Sequence, residues 1–126
     1  MNQQPVEIIN KFNSYSVGEI GVSSITVSEL QYGVSKSRHK QKNQQRLDEF
    51  LVPFDVLSFT QKEAVHYGEI RAELERKGKI IGQFDLLIAA HALSGNRIVV
   101  TNNENEFRRI SGLKLENWTS SSVNTL

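Results

Sequence analysis

A chain of 126 residues, 38% hydrophobic and 23% charged, is long enough for one buried core and too polar for a membrane bundle. A net charge of +1 excludes a surface that is basic throughout, so any nucleic-acid contact has to be local. The absence of cysteine excludes disulfides, thiolate zinc sites and cysteine nucleophiles, and the polar start Met1-Asn2-Gln3-Gln4 lacks the features of a signal peptide. No run reaches the roughly 20 apolar residues of a bilayer span, so no membrane contact and a cytoplasmic location are expected. His39, His66 and His91 are scattered without helical ligand spacing; His91 reads as a partnered core residue.

In chain order, Pro5 with Ile8, Ile9 and Phe12 predicts a short amphipathic helix. The run Ile20-Gly21-Val22-Ser23-Ser24-Ile25 is prone to form a strand, and Thr26-Val27-Ser28-Glu29 has the S/T-x-x-E spacing of a capping box opening a helix toward Ser37. A basic run follows, with Lys36, Arg38, Lys40, Lys42 and Arg46, leading into an amphipathic piece around Leu47, Phe50 and Leu51. It reads as a solvated interhelical loop, because Asp48 and Glu49 follow and no aromatic residues interleave for base stacking. The alternative is phosphate contact with RNA.

Pro53 stops that helix, and Phe54-Asp55-Val56-Leu57-Ser58-Phe59 alternates as a strand. Thr60-Gln61-Lys62-Glu63 is a second capping box, opening a helix that Lys77-Gly78 ends. Gly82 and Gln83 then lead into Phe84-Asp85-Leu86-Leu87-Ile88-Ala89-Ala90-His91-Ala92, a helix apolar almost all round and therefore buried, with a single acid in its first turn. Asp85 complements the helix dipole there; equally, a carboxylate on a rigid buried helix is placed to hold a divalent cation. After the turn Ser94-Gly95-Asn96, Arg97-Ile98-Val99-Val100-Thr101 is the best candidate for a buried strand. A short helix from Asn105 to Arg109, an edge strand between Leu113 and Trp118, and a frayed Ser/Thr/Asn tail complete the chain.

Strands alternating with helices predict an α/β domain with a mostly parallel sheet, in which ligands bind beyond the carboxyl ends of the strands. Glu29, Asp85 and Asn103 all fall at that level. The blocks Ile25-Thr26-Val27-Ser28-Glu29-Leu30-Gln31-Tyr32-Gly33, Ile70-Arg71-Ala72-Glu73-Leu74, Ile81-Gly82-Gln83-Phe84-Asp85-Leu86-Leu87-Ile88-Ala89-Ala90-His91-Ala92 and Val100-Thr101-Asn102-Asn103-Glu104-Asn105-Glu106-Phe107 closely resemble VapC-type PIN-domain toxins, in order and spacing, along nearly the whole chain.

The resemblance implies a PIN-like three-layer α/β fold over residues 1–119, a single domain with a mostly parallel central sheet, and a flexible tail over 120–126. It implies an endoribonuclease toxin dependent on Mg²⁺ or Mn²⁺, acting on structured RNA such as tRNA and neutralised by a cognate antitoxin, with homodimers common. Family positions carry Glu29 and Asp85 over as metal ligands. Asn103 stands where the family commonly has an acid, and Glu106 lies nearby. Thr101 and Ser23 are candidate supporting groups, with strand-end polarity as the bland reading of both; for Glu106 the bland reading is a solvated helix residue. For Glu29 it is the capping box. Leu30, Tyr32, Val34, Leu47 and Phe50 are candidates for a groove that takes an antitoxin segment, or for core. The family's first strand, which carries its first acid, has no counterpart here, so a weakened metal site is expected. A non-catalytic binding module that still associates with an antitoxin or a sister chain is the alternative.

Overall fold

The computed structural model describes residues 13–15, 20–101 and 103–117; the helix expected between Pro5 and Phe12, Trp118 and the tail lie outside them. The described residues fall into two compact units, one over 20–60 and one formed by 61–117 with 13–15.

The first unit runs β1 (Gly21–Ser23), α1 (Ser24–Ser35), α2 (Lys40–Leu51), β2 (Asp55–Leu57). The two strands pair in parallel, Gly21 opposite Asp55, Val22 opposite Val56 and Ser23 opposite Leu57, with the helical pair as the crossover that parallel strands need. Gly21 fits this pairing for a steric reason: a Cβ there would come within 2.6 Å of Leu57 Cδ1.

Helix α1 begins earlier than the Thr26 capping box predicts. Its N-cap is Ser23, whose hydroxyl accepts from the Ile25 N–H at 3.1 Å, so Glu29 lies beyond the first turn and is no capping-box glutamate. Ser24, Thr26 and Ser28 offer the same cap chemistry, and the strand ending at Ser23 decides among them. The basic run is also mostly helical: Lys40, Lys42 and Arg46 lie on α2, leaving 36–39 as the connection. Gln31 of α1 and Gln44 of α2 exchange amide hydrogen bonds at 2.7 and 3.1 Å, which joins the two helices through their polar faces. That polar link matters because α1 has no fully buried residue and α2 only Leu47.

The second unit runs α3 (Gln61–Arg76), α4 (Gln83–Ser94), β3 (Ile98–Val100), α5 (Glu104–Phe107), β4 (Lys114–Glu116). Its core joins Leu74, Ile81, Leu86, Ala89, Ala92, Val99, Phe107 and Ile110. Ala89 and Ala90 are fully shielded, so α4 is the enclosed helix that its all-round apolar sequence predicts, and His91 is buried on it. Glu63 is also buried, and its carboxylate accepts from the Ser94 hydroxyl at 2.7 Å, joining α3 to α4. α3 opens at Gln61, directly after Thr60.

Both long helices end in the same 6→1 and 5→2 bonding pattern. After α3, Lys79 N–H donates to the Leu74 carbonyl and Gly78 N–H to that of Glu75; after α4, Arg97 N–H donates to Ala92 and Asn96 N–H to Leu93. The left-handed residue is Gly78 in one case (φ 67°) and Asn96 in the other (φ 53°).

Strands β3 and β4 pair in parallel, Val99 opposite Leu115. β3 is not the fully buried strand its sequence suggests, since Val99 is 7% exposed but Ile98 and Val100 are 48% and 45% exposed. Only one face of this strand packs on the described core, the pattern of a half-buried strand. The short helix spans Glu104–Phe107 rather than Asn105 to Arg109, and β4 covers the middle of the expected edge strand. Among the described residues no helix is long and apolar enough to cross a membrane.

Candidate metal and catalytic site

Two helix starts of the second unit meet at one polar cluster. Asp85 is the third residue of α4, following the N-cap Gly82. Asn103 is the N-cap residue of α5, and Glu106 is the third residue of that helix. Each acid thus stands where a capping-box residue would reach back to its own N-cap amide. Neither helix is closed in that way. Glu106 Oε1 accepts from the Gly82 N–H of the other helix at 2.6 Å, while the Asn103 side chain makes no cap bond and turns its amide toward the carboxylates.

Asn103 Nδ2 donates to Asp85 Oδ2 at 3.0 Å and to Glu106 Oε2 at 3.2 Å. Thr101 fixes the approach of Asn103, its hydroxyl accepting from the Asn103 N–H at 2.9 Å. One NH2 group, the positive end of an amide dipole, therefore lies between two carboxylates of different helices. Gly82 leaves the flank of the cluster open: a Cβ there would stand 3.4 Å from Glu106 Oε1 and 4.0 Å from Asp85 Oδ2.

The proton affinities of the two acids are shifted in opposite directions. Partial burial raises the Asp85 pKa above the ordinary carboxylate value, and the neighbouring Glu106 charge adds to the rise, with the Asn103 hydrogen bond opposing it. Glu106 is lowered, chiefly by the Gly82 N–H and then by Asn103. Two carboxylates sharing a site are expected to divide in this way, the better hydrogen-bonded one keeping its charge.

Of the residues singled out from sequence, the structure brings together Asp85, Asn103, Glu106 and Thr101. Glu106 lies on the helix as its sequence position suggests, and its carboxylate bonds both Gly82 and Asn103. The signal for it was its position three residues after Asn103, the capping-box offset. Glu29 and Ser23 belong to the other unit: Glu29 is exposed on α1, and the Ser23 hydroxyl caps that helix. Among the described residues no group of three or more His, Asp or Glu side chains is arranged to hold a metal.

The donor chemistry nonetheless fits a hard divalent cation. Such an ion takes oxygen ligands, keeps several waters and binds through as few as one or two carboxylates; Asp85 and Glu106 supply two. The amide NH2 already sits where positive charge is favoured between them.

Residues 4–113 match the PIN-domain family. This chain belongs to the VapC ribonucleases of the PIN-domain family. It is 51% identical over 113 residues to Ribonuclease VapC2 of Rickettsia felis, covering 90% of this chain and 81% of that protein. It is 41% identical over 118 residues to the tRNA(fMet)-specific endonuclease VapC of Shigella flexneri, covering 94% and 89%. In three dimensions it resembles a chain of the DNA-bound VapBC complex from Salmonella typhimurium, with a TM-score of 0.86 and 42% identity over 90% of this chain and 86% of that one. The α/β fold with parallel strands is therefore the PIN fold, and the ribonucleases of this family generally use a divalent metal.

Proposed function

We propose that this chain is a metal-dependent endoribonuclease, the toxin of a type II toxin–antitoxin pair, cutting structured RNA such as tRNA with Mg²⁺ or Mn²⁺. The observation that carries this reading is the Asp85–Asn103–Glu106 cluster, two carboxylates from two helix starts bridged by one amide. The identity to a tRNA-specific endonuclease supports the substrate class, and the likeness to VapBC complexes supports an antitoxin as partner. Homodimers and a cytoplasmic location follow from the resemblance. The match over residues 4–113 supports reading 1–119 as one PIN-like domain with 120–126 as its tail.

A divalent cation bound here supplies a Lewis acid for the scissile phosphate and an activated water. The protein's own part is to hold and orient. Glu106, fixed by the Gly82 N–H, presents a carboxylate that stays charged, while Asp85 accepts a proton at its carboxylate more readily than an ordinary aspartate. Asn103 holds the two acids in register, and Thr101 holds Asn103. Glu29 is proposed as a metal ligand by family position alone, with Ser23 as a supporting group at the start of its helix.

The test is cleavage of tRNA with and without Mg²⁺ by the parent protein and by Asp85→Asn. Mg²⁺ is expected to support cleavage that chelation abolishes, and Asp85→Asn to lose at least two orders of magnitude in rate. Equal rates for the two proteins would remove Asp85 from the site. A second reading, a binding module without catalysis, is favoured by the absence of a three-acid group among the described residues. It predicts a stable antitoxin complex with no metal-stimulated cleavage.

A further inference from the structure

The second unit carries an open hollow of about 600 Å³ lined by Gly78, Lys79, Ile80, Arg108 and Arg109. Three of the five lining residues are cationic and none is acidic. Gly78 adds no side chain to it: the residue is held at φ 67° by the end of α3, and a Cβ placed there would meet nothing within 4 Å. One cation is fixed, because Arg109 Nη1 donates to the Ile80 carbonyl at 2.6 Å, tying the guanidinium to the backbone. Arg108 is held by Glu104 at 2.9 Å. Lys79 has no ion-pair partner among the described residues, so its positive charge is not balanced by a paired acid.

The hollow and the acid cluster are built from the same two stretches of chain. Ile80 precedes Gly82 by two residues and Arg109 follows Glu106 by three, so the Arg109–Ile80 bond and the Glu106–Gly82 bond are two rungs between one pair of segments. A basic hollow beside an acidic cluster suits a polyanion whose successive phosphates need different treatment. The phosphate to be cut would go to the carboxylates and the cation they would hold, and a neighbouring one to the guanidinium and ammonium groups, which bind phosphate without reading sequence.

We propose that the Lys79–Arg108–Arg109 hollow is a backbone-phosphate subsite for the RNA substrate, holding a phosphate that flanks the scissile one. The inference rests on the ribonuclease reading and deepens it. The subsite acts by uniform binding, so it sets KM and the salt dependence of affinity and leaves kcat alone.

The test measures binding of a fluorescein-labelled single-stranded oligoribonucleotide to the full chain in EDTA across a salt series. Each lost phosphate contact lowers the slope of log K against log salt by about 0.7 for a single strand. Lys79→Gln, which removes no side-chain bond seen in the structure, is expected to lower the slope by about 0.7 and Lys79→Gln/Arg108→Gln by about 1.4. Lys40→Gln/Lys42→Gln, the same charge loss on α2, is expected to leave it unchanged. With Mg²⁺ present, the Lys79/Arg108 double variant should cleave with raised KM and the parent kcat. An unchanged slope in that variant, or an equal fall in the α2 variant, overturns the subsite while leaving cleavage by the parent to support the ribonuclease reading. If the double variant keeps its RNA slope but loses the antitoxin, the hollow is a protein contact and the proposal fails. A parent chain that neither binds nor cuts RNA overturns both.

Discussion

Replacing Asn103 by aspartate turns the donor between two carboxylates into a third carboxylate at almost the same place. The 3.0 Å hydrogen bond to Asp85 Oδ2 is lost and becomes a like-charge contact. Loss of the bond costs about 1 kcal/mol, and repulsion from Asp85 adds about 1 kcal/mol, taken near the solvent-screened limit because the site is only partly buried. Glu106 pushes in the same direction. At about 4 °C per kcal/mol for a domain of this size, the metal-free variant should melt about 8 °C below the parent at neutral pH.

A divalent cation reverses the sign, since a third anionic oxygen now strengthens binding, and ligand binding stabilises the native state in proportion to the logarithm of its saturation. The assay is thermal unfolding followed by circular dichroism, in EDTA and then across an Mg²⁺ or Mn²⁺ series. The variant is expected to gain more from the ion than the parent does. A variant as stable as the parent in EDTA, or no more responsive to the ion, would show that Asp85, Asn103 and Glu106 do not act as one anionic site.

Two further predictions concern the cluster and its frame. Because burial and Glu106 raise the Asp85 pKa above its unfolded value, the stability this group contributes is full below the unfolded pKa and is lost as pH rises through the folded one. Metal-free Asp85→Asn should therefore be more stable than the parent at pH 7, with the difference vanishing at low pH; denaturant melts across the acid range check it, and a constant difference would contradict it. At the helix ends, Asn96→Gly should stabilise by about 0.5 kcal/mol and Gly78→Ala destabilise by about 1 kcal/mol, both read from urea melts, because each changes the cost of a left-handed residue.

Much of the fold was legible because its strongest signals are local and redundant. The apolar circumference of α4 allows nothing but burial, and Lys77-Gly78 and Gly95-Asn96 are chemically suited to the left-handed stops found there. The start of α1 was not legible from spacing alone. Ser23, Ser24, Thr26 and Ser28 are interchangeable as caps, and what selects Ser23 is the end of β1, which depends on pairing with a strand more than thirty residues away. The exposure of Ile98 and Val100 escaped for a similar reason, since an apolar run does not say how many of its faces the rest of the fold covers.

At the site, family register pointed to Asp85 and Asn103, and the structure joins them. Glu106 was legible only as a neighbour of Asn103, with ordinary helix grammar as its bland reading. Its offset from Asn103 suits a local cap, and only the tertiary approach of Gly82, twenty-four positions back, diverts its carboxylate into the cluster. Glu29 remains assigned through its family position, on a helix whose cap turned out to be a different residue.

Direct titration of Mn²⁺ into the metal-free chain tests the central claim, that Asp85 and Glu106 form one divalent-cation site. The account predicts binding by the parent that weakens at least tenfold in Asp85→Asn and again in Glu106→Gln, with the double variant little worse than either single one. Parent-like affinity in both single variants would contradict it.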